Sequence, residues 1–391
     1  MIITQPSANR TVSASSKPDF PFLDLKAEFE IIRDEVLSAV AKIFASQQFI
    51  LGPEVEALEA DIARLVRCDF AVGCASGTDA LLLALMALGI GPGDEVITTP
   101  FTFVATAGSI VHLGARPVLV DINPDDFNLD AEQIAKAVTA KTRAILPVHL
   151  FGLAADMNPI MQVAQASRLP IIEDAAQAIG ARYHGSAVGS IGAAGCFSFF
   201  PSKNLGGAGD GGMITTQDPD LADRLRVLRV HGSRKRYEYE LLGINSRLDA
   251  LQAAVLRVKL NHLKEWTGQR QRHAARYRVL FQQSGLEGKV QMPSVPPGRE
   301  HVYNQFVIRT SRRDELRGFL TQRGIPTEIY YPYPLHLQPA FSFLGCKAGD
   351  LPQAETACKQ VLALPISPML TDEQQQRVVE TIAAFFRLER L

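Results

Sequence analysis

The chain has 391 residues, 47% of them hydrophobic and 21% charged. That composition suits a soluble globular protein and excludes a disordered or fibrous one, and at about 100 to 200 residues per domain the length predicts two domains or one large α/β unit with an appendage. Forty basic against 41 acidic side chains leave a formal charge of -1, which gives no electrostatic basis for binding nucleic acid or an anionic membrane and leaves a small molecule as the expected partner.

Residues 1–19 carry Ser, Thr, Asn and Pro and lack the apolar core of a secretory signal, so they are expected to form a flexible tail. No stretch reaches the roughly 18 to 20 apolar residues of a membrane span. Cys68, Cys74, Cys196, Cys346 and Cys358 form no CxxC pair, which argues against a disulfide framework or structural zinc and for a reducing, cytoplasmic compartment.

From Phe70 onward short β-branched runs alternate with helical stretches, the pattern of parallel strands and crossover helices. Strands are predicted at Phe70 to Cys74, Glu95 to Thr99, Pro117 to Asp121, Ala144 to Val148, Pro170 to Glu173, Cys196 to Phe200 and Gly212 to Thr216. Several are apolar without alternation, as strands buried on both faces are. Only a Gly-rich stretch separates the last two, too short for a crossover helix, so one strand should be antiparallel in a mixed sheet of about seven. After Asn245, Leu248, Leu251, Val255, Val258 and His262 recur at helical spacing and predict a long amphipathic helix. The expected division is a large α/β domain over residues 20–262 and a smaller α+β domain over 263–391, with a strand at Phe306 to Arg309 and a helix at Arg313 to Arg323.

Three segments at predicted strand ends carry chemistry. Ser76-Gly77-Thr78-Asp79 opens the helix after the first strand, where free amides and the helix dipole favour an anion such as phosphate; an ordinary helix cap fits the same residues. Asp174, in Glu173-Asp174-Ala175-Ala176-Gln177, emerges at the same sheet edge and could meet a metal, a ribose hydroxyl or a protonated pyridine nitrogen, or cap a helix, with Gln177 on the same face. Lys203, in Ser198-Phe199-Phe200-Pro201-Ser202-Lys203-Asn204, follows an apolar strand and precedes a run of glycines; it fits a solvated surface charge or, in an apolar surround, an amine whose pKa falls into the range for imine chemistry. The glycines precede a strand, unlike a dinucleotide fingerprint, and no P-loop, HExxH or GxSxG motif occurs. The eight histidines show no metal-ligand spacing, so no metal is expected. Phosphate donors, an acid for a ring nitrogen and a buried amine together match the needs of pyridoxal phosphate.

At this point the sequence resembles the DegT/DnrJ/EryC1/StrS sugar aminotransferases, a branch of the fold-type I pyridoxal-phosphate enzymes. The resemblance runs from about Phe22 to the C-terminus and rests on SGTDALLLAL from Ser76, GPGDEVITTPFTFVAT from Gly91, EDAAQAIGA from Glu173, SFFPSKNLGG from Ser198, GINSRLDALQAAVL from Gly243 and HVYNQFVIR from His301. It implies that Lys203 forms the imine with pyridoxal 5'-phosphate and later shuttles the proton, that Asp174 pairs with the ring nitrogen, and that Gln177 reaches the ring hydroxyl. It implies further that Gly77, Thr78 and Ser198 hold the phosphate, that Phe103 stacks on the ring, and that Asn245 reaches the phosphate of the second subunit in a homodimer.

The implied reaction transfers an amino group from L-glutamate to a nucleotide-diphosphate-linked keto sugar, with ping-pong kinetics. The stretch IPTEIYYPYPLHLQPAF from Ile325 resembles that of members acting at C3 of the sugar, so a 3-keto hexose or 3-keto uronic acid is the expected acceptor and Tyr331, His336, Arg247 and His231 are candidate contacts. Two alternatives stay open: a 4-keto sugar as acceptor, and a cofactor-bearing regulatory protein without turnover.

Overall fold

The computed structural model describes residues 18–388. Residues 1–17 of the expected tail lie outside that range, and Asp19 is not part of a loose tail: its N–H donates to Gly324 O at 3.0 Å and its carboxylate pairs with Arg377. The next residue, Phe20, enters the core of the C-terminal region.

Helices α1 (Leu25–Ser46) and α2 (Pro53–Val66) lead into β1 (Phe70–Cys74). There follow α3 (Gly77–Ala87), β2 (Glu95–Thr98), α4 (Ala105–His112), β3 (Arg116–Leu119), α5 (Ala131–Ala137), β4 (Thr142–Ile145), α6 (Met157–Ser167), β5 (Ile172–Asp174), β6 (Ala194–Ser198), β7 (Gly212–Thr216), α7 (Pro219–Leu228) and α8 (Ala250–Gln283). The ladders run β1-β7-β6-β5 and β3-β2-β4. Parallel bridges Ile145 to Ile171 and Val148 to Asp174 join β4 to β5, which makes one sheet of seven strands. As expected for the short Gly-rich connection, β7 is antiparallel to both its neighbours, and the other ladders are parallel. The strands match the predicted segments within a few residues.

Successive strand residues serve opposite cores. Ile97, Ile145, Phe197 and Met213 pack with α2, α5, α6 and α8 on one face. Val96, Ala144, Cys196 and Ile214 pack with α3, α4 and α7 on the other. Full burial of each large apolar side chain contributes about 1.5–3 kcal/mol, which is why this sheet reads as continuous apolar runs.

The 34-residue helix α8 belongs to both parts of the molecule. Ala253, Leu256 and Leu263 lie in the sheet core, whereas Ala274, Tyr277, Leu280 and Phe281 lie in the C-terminal core. The expected boundary at residue 262 therefore falls inside a continuous helix. Beyond α8, β8 (Phe306–Arg309) and β9 (Val361–Leu364) pair antiparallel, flanked by α9 (Arg313–Gln322), α10 (Pro352–Gln360) and α11 (Asp372–Arg387). A seam of aromatic rings joins this unit to the sheet: Phe101 meets Phe127, Phe151 and Tyr331 at centroid distances of 5.8, 6.2 and 6.0 Å.

Among the described residues no helix is long and apolar enough to cross a membrane. The five cysteines are free thiols, and no group of three or more His, Cys, Asp or Glu side chains there could hold a metal ion.

Candidate active site

Strand register gathers the candidate residues. Gly212, the first residue of β7, pairs with Cys74 at the end of β1 and with Ser198 at the end of β6. Cys196 of β6 pairs with Asp174 at the end of β5. Three parallel strands thus deliver the loop after Cys74, Ser198 and Asp174 to one edge of the sheet, where open α/β folds bind ligands.

At that edge Ser76 caps α3, its side chain accepting from Asp79 N at 3.1 Å. The first-turn amides of Gly77 and Thr78 have no acceptor within the helix, which leaves them and the positive helix end available for an anion beside the half-buried Ser198. A Cβ on Gly77 would lie 2.6 Å from Ser198 Cβ. Glycine is therefore required for the two halves of this anion cradle to meet. Ser246 Oγ accepts from Ala75 N at 3.1 Å and ties the 245–247 segment to the cradle's base.

Asp174 is buried, with 5% exposure. Thr106 Oγ1 donates to its Oδ2 at 2.7 Å and Ala176 N to its Oδ1 at 3.2 Å. Burial pushes its pKa upward, and the Thr106 bond, the Ala176 bond and the nearby Lys203 and His149 oppose that shift. Lys203 follows the turn closed by its N–H on Phe200 O at 2.9 Å. Burial lowers its pKa to about 8, against the pull of Asp174, so a useful fraction of the amine is neutral near neutral pH.

The Gln177 side chain is held by both ends. Its Oε1 accepts from Phe151 N at 2.6 Å, which leaves Nε2 as the donor, and that donates to the Tyr331 hydroxyl at 3.0 Å. Tyr331 is thereby brought against Gln177. Phe103 is 57% exposed, its ring free to cover a ligand. His231 and Asn245 are exposed and Arg247 is half-buried; Val230 and Asn245 form a bridge and His231 N donates to Ile244 O, so the three share one surface. His336 requires correction. It is 2% exposed and its Nε2 lies 3.1 Å from Glu355 Oε1, so it fixes the 335–337 turn to α10 and is not offered to a substrate.

Several supporting residues were not foreseen. Glu173, fully buried, accepts from Gly189 N, Ile191 N and Gly192 N at 2.8, 2.8 and 2.7 Å. It also meets His149 Nε2 at 3.0 Å. Ala155 N donates to His149 Nδ1 at 2.9 Å, so the proton of the neutral ring sits on Nε2. These bonds brace the strand end that carries Asp174. Thr106 was also missed, although its place one turn after Thr102 at the start of a helix on this edge was a signal available in the sequence.

The residues fit pyridoxal phosphate: a cradle kept open by a glycine, a carboxylate for a ring nitrogen, an amine of lowered pKa and an uncovered aromatic face.

Residues 30–383 match the DegT/DnrJ/EryC1/StrS aminotransferase family. The chain is 53% identical over 367 residues to a "Pleiotropic regulatory protein" of Geobacillus stearothermophilus, covering 94% of this chain and 98% of that one. It is 48% identical over 362 residues to a UDP-N-acetyl-3-dehydro-alpha-D-glucosamine 3-aminotransferase of Acidithiobacillus ferrooxidans, covering 93% and 96%. The crystal structure of NtdA from Bacillus subtilis with bound cofactor PMP superposes with a TM-score of 0.88 at 32% identity, covering 97% of this chain and 87% of that one. The chain therefore belongs to the DegT/DnrJ/EryC1/StrS aminotransferase family and is an aminotransferase that uses pyridoxal phosphate.

Proposed function

We propose that the protein transfers an amino group from L-glutamate to the C3 carbonyl of a nucleotide-diphosphate-linked keto sugar, a 3-keto hexose or 3-keto uronic acid, in two half-reactions at one site. The observation that carries this reading is the convergence of the Gly77–Ser198 cradle, Asp174 and Lys203 at a single sheet edge. The 3-dehydro sugar named for the Acidithiobacillus relative supports the choice of C3.

Bound pyridoxal phosphate supplies an electron sink for the pair left behind when the α-proton of the amino acid departs. Gly77, Thr78 and Ser198 hold its phosphate through amides, hydroxyls and the positive end of α3. Asp174, as a carboxylate, keeps a proton on the ring nitrogen. Gln177, its orientation fixed by Phe151 N, would offer its amide N–H to the ring oxygen, and Phe103 would cover the ring face. Lys203 Nζ would hold the cofactor at rest and, in each half-reaction, would take up and return the substrate's proton, a role suited to its lowered pKa. Glutamate leaves as 2-oxoglutarate and the keto sugar leaves as the amino sugar, so the two substrates share the site in turn.

Asn245 is assigned to the phosphate of a partner subunit in a homodimer. Its exposure and that of the apolar side chains in the segment leading to it, Leu242 at 94% and Tyr237 at 75%, support a covered face there. Arg247 and His231, on the same surface, are placed at the substrate's anionic groups, and Tyr331 at the seam between sugar and cofactor.

The test is the visible spectrum of the purified holoenzyme. L-Glutamate should abolish the band and one 3-keto nucleotide sugar should restore it; restoration by 4-keto sugars alone would move the assignment to C4. No response to any amino donor would favour a cofactor-bearing regulator, the reading that the name of the Geobacillus relative supports.

A further inference from the structure

Two threonines outside the family resemblance's assigned site residues form a chain behind Asp174. Thr106 is fully buried and Thr102 is 4% exposed. Their hydroxyls lie 2.9 Å apart, and Thr106 Oγ1 lies 2.7 Å from Asp174 Oδ2. A hydroxyl has one proton, and an ionised carboxylate has none to give. Thr106 therefore donates to Asp174 and must accept from Thr102. The order of donors is fixed: Thr102 to Thr106 to Asp174.

We infer that Thr106, polarised by Thr102, is a positioning residue that keeps Asp174 ionised in its buried site and so keeps the cofactor's ring nitrogen protonated. This deepens the proposed function and rests on its assignment of Asp174 to that nitrogen. Three observations support it. The carboxylate is almost out of water, where an anion is disfavoured. Its other direct hydrogen bond, from Ala176 N, is longer at 3.2 Å. Among the influences holding its pKa down, the Thr106 bond stands first, ahead of Ala176, Lys203 and His149. Tyr331 and Cys196 also lie near this carboxylate, and neither gives it a hydrogen bond. Thr106 sits one turn after Phe103, so one short segment would cover the ring face and also tune the acid at the ring's edge.

The experiment compares wild type with Thr106→Val, which keeps the shape and loses the hydroxyl, and Thr106→Ser, which keeps the hydroxyl. Each holoenzyme's visible band is titrated with pH, and kcat and KM for L-glutamate are measured. A positive ring withdraws electrons from the attached nitrogen of Lys203 and lowers that nitrogen's proton affinity. Weakening Asp174 should therefore raise the titration midpoint. The expected shift for Thr106→Val is about one pH unit upward, with roughly a tenfold fall in kcat and little change in KM. Thr106→Ser should stay within about 0.3 unit of wild type. Equal midpoints in Thr106→Val and wild type would overturn the inference, as would a Thr106→Ser shift as large as that of Thr106→Val. A wild type with no visible band in excess pyridoxal phosphate would instead remove the underlying assignment of the site, a result seen before any variant is compared.

Discussion

Gly77 and Ser198 stand so close across the sheet edge that a single methyl group cannot be placed between them: a Cβ on Gly77 would come within 2.6 Å of Ser198 Cβ and 3.1 Å of its Cα. The closeness follows from register, because Cys74, three residues before Gly77, and Ser198 itself pair with opposite sides of Gly212. One contact is with backbone, so a rotamer change cannot relieve it.

Gly77→Ala should therefore damage cofactor retention far more than folding. The dissociation constant for pyridoxal phosphate should rise on the order of 100-fold, and Ser198→Ala, which removes one hydrogen bond to a charged group, should raise it roughly tenfold. Equilibrium dialysis, with circular dichroism as the check on folding, measures both.

Lys203→Met should abolish transamination and also change stability in a pH-dependent way. In the folded apoprotein Lys203 gives up its proton near pH 8, while the ordinary value for the unfolded chain is 10.5. Between those values the unfolded state binds more protons, so stability rises with pH, and below about 8 the burial penalty on the charged amine is fully present. The methionine variant lacks that penalty. Its apoprotein should be the more stable at about pH 7, with the gap closing toward about pH 10. Urea midpoints of the two apoproteins at both values give the comparison.

Asp174→Asn should bind cofactor but lower kcat on the order of 100-fold or more, since a neutral amide cannot hold a proton on the ring nitrogen. Single-turnover bleaching by L-glutamate reads the first half-reaction directly, and a rate near wild type would sink the role given to Asp174.

His336→Ala and Tyr331→Phe should separate structure from binding. His336 is buried against Glu355, so its loss should cost about 1–3 kcal/mol of stability and leave KM for the keto sugar unchanged. Tyr331→Phe removes the acceptor for Gln177 Nε2. It should leave the melting temperature nearly unchanged and lower activity by less than about tenfold. Thermal unfolding beside steady-state kinetics distinguishes the two.

Much of the candidate site's placement was readable because it is local. A glycine opening a helix after a strand, a carboxylate ending a strand and a lysine just past one each declare their position within a few residues. The apolar runs identified the strands, and the short Gly-rich link required β7 to run antiparallel. His336 was misread because its neighbours in sequence say nothing of Glu355, 19 residues on and across a turn. Asp19 was misread because Gly324 and Arg377, which hold it, lie far along the chain.

The sequence by itself determined the order of elements, the buried sheet and the three strand-end groups that meet at one sheet edge, since side-chain period and backbone conformation act over short distances. Only the tertiary structure decided how those groups are tuned. Thr106 meets Asp174 across 68 residues, and Gln177 meets Tyr331 across 154. Which hydroxyl or amide reaches a buried carboxylate depends on packing between distant segments, and no local pattern encodes that choice.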